Sequence, residues 1–228
     1  QMDGFDYLGG LDEFREGLFQ VQDVSSMLAV EIAGVKAGDH CIDVCAAPGG
    51  KSLYLAEKAG ETGGVDARDL TDYKAEMIRD NAERLGVTNV TVSVKDACVY
   101  DEASKEKADV LLADLPCSGL GVLGRKKDIR YRVPCSGLGV LSKKTDIKYR
   151  MSKEQQQELQ ELQRKILSTA EAYVKPGGTL VYSTCTINRG ENEENVRWFL
   201  SHFPYEAVSL DDCLPEKLRS ETTKQGYL

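Results

Sequence analysis

His40-Cys-Ile-Asp-Val-Cys45 runs straight into Ala46-Ala-Pro-Gly-Gly-Lys-Ser52. The first six residues are short and largely apolar, as a strand buried on both faces requires, and the glycines that follow mark a tight turn into a helix over Lys51–Ala59. The same alternation recurs downstream: strand Gly64–Arg68, helix Thr71–Leu85 closed by Gly86, then strands Val90–Val94 and Ala108–Ala113. A long helix is expected over Ser152–Tyr173, opened by Ser152 and Gln155 in capping-box spacing. Pro176-Gly-Gly178 is read as the turn into a strand over Thr179–Thr184, and Glu191–Phe203 as a final helix whose acidic first turn suits the dipole. Upstream, Asp23 or Ser25 can cap a helix reaching Gly34. Strands alternating with helices at this spacing predict an α/β fold, a doubly wound and mostly parallel sheet with helices on both faces. The expected organisation is a lead-in segment and helix over 1–36, followed by a core over 37–228. In such sheets ligands lie beyond the carboxyl ends of the strands, near the switch in strand order.

Composition narrows the classes. No stretch approaches the roughly 20 apolar residues that span a bilayer, and the first residues lack the profile of a secretory signal, so a cytoplasmic protein is expected. Seven cysteines, an odd number without CxxC pairs, accompany only two histidines. That argues against zinc and against a disulfide scaffold, and for reduced thiols; no metal is expected. The net charge of −8 divides unevenly, because Arg125–Lys153 carries ten basic residues against Asp128 and Asp146, a local +8 on a body of −16. A focused basic segment on an acidic body suits a polyanion held through phosphate contacts, although a solvated loop has the same composition.

The same region holds a tandem duplication. Pro116-Cys-Ser-Gly-Leu-Gly-Val-Leu123 returns 18 residues later as Pro134-Cys-Ser-Gly-Leu-Gly-Val-Leu141, and Asp128-Ile-Arg-Tyr-Arg132 as Asp146-Ile-Lys-Tyr-Arg150. Two copies do not make a solenoid, so the stretch 116–150 reads as one duplicated loop.

Chemistry collects at the strand ends. The turn at Asp43–Ser52 ends in Gly50-Lys51-Ser52 like a phosphate loop, but position 45 is Cys where that motif needs Gly, and the dinucleotide pattern G-x-G-x-x-G is absent. A nucleoside-type cofactor across the strand ends is the remaining reading. It requires an acid after the second strand for ribose hydroxyls; Asp69 stands 20 residues after Gly49, and Asp96 follows the next strand, where it could accept from an adenine amine. Two thiols also close strands, in Asp114-Leu-Pro-Cys117 and Ser183-Thr-Cys185-Thr186. A lone cysteine there is usually a small core residue; the combination with Asp114 suggests covalent catalysis with proton transfer.

Taken together, Phe14-x-x-Gly17, Val21-Gln-Asp-x-Ser-Ser26, Asp43-Val-Cys-Ala-Ala-Pro-Gly-Gly-Lys51, Asp114-Leu-Pro-Cys-Ser-Gly-x-Gly121 and Tyr182-Ser-Thr-Cys-Thr186 resemble the Nop/Sun family of RNA 5-methylcytosine methyltransferases, on its RsmB (Sun) branch. The resemblance runs from about residue 5 to the end. It implies S-adenosyl-L-methionine as cofactor and small-subunit ribosomal RNA as partner, bound through the basic segment 125–153. Carbon 5 of cytosine is a poor nucleophile, so a thiolate must first add at carbon 6. By the resemblance Cys185 is that nucleophile, Cys117 assists product release, and Asp114 hydrogen-bonds the cytosine edge. Ala47, Pro48, Gly49, Gly50 and Lys51 would line the cofactor site together with Asp114, Lys51 also reaching the substrate, while Asp69 and Asp96 hold ribose and adenine.

Three departures accompany the resemblance. Members of this branch carry an N-terminal RNA-binding domain, of which at most a remnant before residue 20 is expected here. They also continue past Gln225-Gly-Tyr-Leu228 into a final pair of strands. In the duplication, Arg132 stands where the first copy has Asp114, so the first copy is expected to be the competent one and Cys135 a bystander. Three rivals stay open: the reverse order of the thiols, as in cytosine-5 DNA enzymes; a methyltransferase with another substrate; and an RNA-binding fragment that has lost its activity.

Overall fold

A computed structural model describes residues 7–119 and 152–227. Five strands, β1 (His40–Asp43), β2 (Gly64–Asp69), β3 (Val90–Val94), β4 (Ala108–Asp114) and β5 (Val174–Ser183), form one sheet in the order β3-β2-β1-β4-β5. Every neighbouring pair is parallel. The chain starts in the middle of the sheet, winds outward to β3, then returns to the other side of β1, so the order switches between β1 and β4. Described helices are α1 (Asp12–Arg15), α2 (Val24–Glu31), α3 (Gly50–Ala59), α4 (Asp72–Arg84), α5 (Lys153–Ala170), α6 (Glu193–His202) and α7 (Glu221–Lys224).

Alternation along the strands sorts side chains into two cores, because successive Cβ atoms point to opposite faces. Cys41, Val65, Ala67, Val110 and Leu112 pack with Val30 of α2, Leu55 and Ala56 of α3, and Ile78 of α4. Ile42, Leu111 and Ala113 face the other way, against Ile166, Leu167 and Ala170 of α5 and Phe199 of α6. Both faces of the parallel sheet are thus covered, which is why its central strands read as nearly continuous apolar runs. The helix starts follow the expected chemistry. Asp23 caps α2 by accepting from Ser25 N at 2.9 Å, and Ser152 and Gln155 exchange both hydrogen bonds of a capping box at 3.0 and 3.3 Å. Each such cap contributes about 1 kcal/mol.

Two elements depart from the expected bounds. β5 begins at Val174, so Pro176-Gly-Gly178 lies inside a strand; the register jumps from Ala108↔Val174 to Val110↔Thr179, and the extra residues bulge out of the pairing. α6 begins only at Glu193, which leaves Glu191 outside the helix and fully buried.

The lead-in segment is fastened to α4. Arg84 donates through Nη1 to the carbonyls of Phe14 at 2.9 Å and Phe19 at 3.2 Å, and its guanidinium sits 4.1 Å from the centre of the Phe14 ring. Gly17 makes this approach possible: it has φ +75°, and a Cβ there would fall 1.7 Å from the Arg84 carbonyl oxygen. Gly17→Ala is therefore expected to cost roughly 1–3 kcal/mol through left-handed strain and displacement of the segment. Denaturant unfolding would register the loss, and limited proteolysis would show faster cleavage around residues 11–22; wild-type behaviour in both would remove the clamp from this account.

Candidate active site

The turn after β1 is organised by two buried carboxylates. Asp43, 1 % exposed, accepts from Ser52 Oγ at 2.6 Å and from Cys45 N at 3.3 Å. Burial pushes its pKa up to about 7, against the lowering effect of Ser52 and with a further rise from nearby Asp114. Asp69, at the end of β2, accepts from Ala47 N at 3.0 Å and from Lys74 Nζ at 2.8 Å, so it ties β2 to the Ala-Ala-Pro turn. Gly49 then takes φ +106°, and a Cβ on it would press on Ile78 at 3.3 Å. A glycine is needed there for both reasons.

Across the switch point, Lys51 in the first turn of α3 reaches Asp114 at the end of β4, Nζ to Oδ2 at 2.6 Å. The other oxygen of Asp114 accepts from Ser183 Oγ at 2.6 Å, on β5. Three elements thus converge on one carboxylate.

Two residues past Ser183 and three past Asp114, the thiols meet. Cys117 Sγ lies 3.1 Å from Cys185 Sγ, and the Cys185 backbone N–H points at Cys117 Sγ at 3.2 Å. Their environments differ: Cys117 is 2 % exposed, whereas Cys185 is exposed. Cys185 is drawn below the usual thiol range, chiefly because Cys117 can donate a hydrogen bond to it; burial and the charge of Asp114 oppose this, and Lys51 assists. Cys117 is pushed up by the same contact and by burial, and keeps its proton. The pair can therefore present one accessible thiolate backed by one thiol.

Behind the thiols lies a polar cluster that sequence reading missed. Glu191 accepts from the Ser118 backbone N–H at 2.8 Å, Gln163 Nε2 at 3.1 Å and Asn188 Nδ2 at 2.9 Å. Gln163 also donates to the Pro116 carbonyl at 2.8 Å, and Asn195 Nδ2 donates to Gln163 Oε1 at 2.8 Å. Gln163, Glu191 and Asn195 are each fully buried. The expectation that Glu191 complements a helix dipole is thus corrected: its partners are donors on the loops after β4 and β5 and on α5. The one available signal was three carboxamides, at positions 163, 188 and 195, placed where helix or loop positions would ordinarily face water.

A cleft of about 310 Å³ opens beside this assembly, within the range of small-molecule pockets. Asp43, Ala47, Pro48, Gly50, Lys51 and Asp114 line one side, and the lead-in segment, including Gln22, lines the other. Gln22 Nε2 is buried there with no hydrogen-bond partner among the described residues, a donor that an acceptor group on a ligand would satisfy. The orphan donor and the turn backbone fit a polar cofactor. Asp69 and Asp96 are not in the lining of this cleft. Asp96 is exposed and accepts from Cys98 N at 2.8 Å, as a turn former would. Among the described residues no group of acidic, histidine and cysteine side chains is arranged to hold a metal ion, and no helix is long and apolar enough to cross a membrane. The second copy with Cys135, and the basic segment up to Met151, lie outside the described residues.

Comparison with known proteins agrees with the fold. The chain is 39% identical over 215 residues to a probable ribosomal RNA small subunit methyltransferase B of Bacillus subtilis, an alignment covering 93% of this chain and 44% of that protein. The crystal structure of PH0851 superposes with a TM-score of 0.79 at 32% identity, covering 93% of this chain and 44% of that one. NSun6 from Pyrococcus horikoshii, solved with SFG, gives a TM-score of 0.69 at 28% identity, covering 86% and 46%. The chain spans less than half the length of these three proteins. A family model described as 16S rRNA methyltransferase RsmB/F matches residues 31–133 and again 131–226, and the chain belongs to that family.

Proposed function

We propose that this chain methylates carbon 5 of a cytosine in small-subunit ribosomal RNA, through a covalent bond from Cys185 to carbon 6 of the base. The contact of the two thiols at 3.1 Å carries the reading. Membership in the RsmB/F family supports it, as does the likeness to NSun6, which was solved with the S-adenosylmethionine analogue SFG.

Cys185 is the accessible member of the pair, so its thiolate adds to carbon 6 and makes carbon 5 electron-rich. Burial favours this order over the opposite one: Cys117, 2 % exposed, is the less accessible to a base, although the Cys185 N–H would favour charge there. S-adenosyl-L-methionine, when bound, supplies the electrophilic methyl group. Ala47, Pro48, Gly50 and Lys51 would hold it in the cleft, on the turn that Gly49 shapes, while Asp69 and Asp96, outside the cleft lining at the end of β2 and just past β3, would serve ribose and adenine only where the cofactor extends past that lining. Asp114, fixed by Lys51 and Ser183, holds the cytosine edge. Water reaching the exposed side of the base takes the carbon 5 proton, the electron pair left behind re-forms the carbon 5–carbon 6 double bond and expels Cys185 as a thiolate, and Cys117, 3.1 Å from that sulfur, assists the release by donating a hydrogen bond to it. The cytosine must leave any stack to reach Cys185, so the target is single-stranded or locally opened RNA, and the basic segment 125–153 supplies phosphate contacts that weaken with salt.

The deciding experiment is methyl transfer from labelled cofactor to small-subunit ribosomal RNA. Cys185→Ala is expected to abolish transfer and to form no adduct, while Cys117→Ala accumulates a covalent protein–RNA species that survives denaturing electrophoresis. An adduct trapped by Cys185→Ala in place of Cys117→Ala would reverse the roles, and salt-dependent RNA binding with no transfer by the unaltered chain would overturn the enzyme. Asp114→Asn should slow transfer on the order of 100-fold without unfolding the protein.

Thiol titration gives a separate check. Because the Cys185 pKa is lowered, its thiolate persists at pH values where an ordinary cysteine, with a midpoint near about 8.5, is protonated. Alkylation of Cys185, followed by mass spectrometry, should therefore reach half its plateau below that pH, and the midpoint should rise in Cys117→Ala. A midpoint at or above the ordinary value in the unaltered chain would remove Cys117 as the stabilising donor.

A further inference from the structure

We infer that Glu191 is a positioning residue that sets Cys117 beneath Cys185 by tying together the two loops that carry them. The inference rests on the proposed role of the thiol pair and extends it to a residue outside the reacting groups.

Cys117 sits in a stretch held on both sides. The Pro116 carbonyl before it accepts from Gln163, and the Ser118 N–H after it donates to Glu191. Cys185 is followed by Thr186, whose Oγ1 lies 2.7 Å from Ser118 Oγ, and by Asn188, which donates to the second oxygen of Glu191. Glu191 bonds directly to a residue of each loop, as Thr186 does through Ser118 Oγ and the Asn188 N–H at 3.1 Å, and of the two only Glu191 also reaches α5, through Gln163. With no exposed surface, it has no water to replace a lost partner.

The bland alternative is that this buried carboxylate stabilises the fold and nothing more. Its donor set argues for a finer role. Oε2 receives two N–H groups and Oε1 a third, so all three neighbours present hydrogens toward it. A glutamine of the same shape has one carbonyl oxygen and one amide NH2; in either orientation the NH2 faces a donor. Glu191→Gln therefore repels at least one of the groups that fix the two loops while removing almost no volume. The loops separate slightly, Cys117 loses its alignment on Cys185, and the Cys185 thiolate loses its hydrogen bond.

The test measures alkylation of Cys185 by iodoacetamide as a function of pH in the full 228-residue chain, with cysteines resolved individually by mass spectrometry. Glu191→Gln is expected to raise the Cys185 midpoint by about one pH unit, making alkylation near neutrality about tenfold slower. Asn188→Ala, which removes one donor to Glu191 and the acceptor of the Gly190 N–H from a half-buried position, should give a smaller rise in the same direction with the protein still folded and its melting temperature only modestly lowered. In RNA methylation kcat should fall in parallel, with KM for S-adenosylmethionine unaltered. Unchanged Cys185 profiles in folded Glu191→Gln and in Asn188→Ala would overturn the inference, and should Glu191→Gln not fold, Asn188→Ala alone decides. Because alkylation needs neither RNA nor cofactor, this result stands apart from whether the unaltered chain methylates ribosomal RNA, which tests the proposed reaction itself.

Discussion

The site depends on one pairing, the register that sets Asp114 of β4 against Ser183 of β5. Parallel neighbours leave a sheet at the same end, so two strands in this register deliver their following residues to one place. The pairing runs one step further, Leu115 N–H donating to the Ser183 carbonyl at 3.0 Å. Pro116 has no N–H to continue the ladder, and the chain turns aside there with Cys117 as its next residue. Cys185 arrives from the other strand after Thr184. A slip of one residue in either strand would turn Asp114 or Ser183 to the opposite face and part the thiols. The thick apolar packing on both faces of β4 is what resists such a slip: Val110 and Leu112 belong to one core, Leu111 and Ala113 to the other.

Charge around the strand ends is balanced nearly group by group. Lys51 faces Asp114 and Lys74 faces Asp69. Asp43, with its pKa pushed up to about 7, carries only part of a charge near neutrality. A thiolate added here therefore meets a field close to neutral, and short-range hydrogen bonding decides its stability. For Cys185 the donor is Cys117, and that contact outweighs the opposing effects of burial and of the Asp114 charge. An arrangement with a cation placed directly on the thiolate would lower its pKa further, but would also hold it in an ion pair and blunt its attack on a base. A neutral thiol as donor would stabilise a Cys185 thiolate without capturing it in an ion pair.

Residue patterns foretold this site unevenly, for physical reasons. The central strand with its Pro-Gly-Gly turn was legible, though it stops at Asp43 and not at Cys45, because burial on both faces leaves an apolar run and the left-handed Gly49 leaves a glycine. The Asp-x-Pro-Cys and Thr-Cys-Thr stretches pointed to a thiol pair, and the pair lies in contact. Pro176-Gly-Gly178 resembled a turn since a bulge and a turn demand the same residues. Glu191 was misread for a different reason: in Gly190-Glu-Asn-Glu-Glu194 its neighbours do begin a helix, and nothing local distinguishes an acid that meets solvent from one that meets two distant donors, on Ser118 and Gln163, besides nearby Asn188. Polar clusters closed by residues more than 25 positions apart leave no period to detect.

The duplication poses the sharpest question about how much change this end of the sheet tolerates. The family model fits the chain in two pieces that overlap at residues 131–133, between the two Pro-Cys copies, so each copy satisfies the family pattern from one side. The geometry at the strand ends is less permissive than the pattern. Leu115 and Cys117 follow β4 directly, and Asp114 is both the last residue of that strand and the partner of Lys51 and Ser183. A Pro-Cys preceded by Arg132 could not reproduce that junction, because a guanidinium would meet Lys51 where a carboxylate now pairs with it. In the first copy Cys117 meets Cys185 and the Ser118 N–H donates to Glu191, and the described chain resumes at the capped start of α5. Insertion after a strand's last paired residue lengthens a connection at small entropic cost, whereas the same insertion before Asp114 would have broken the register on which both thiols depend.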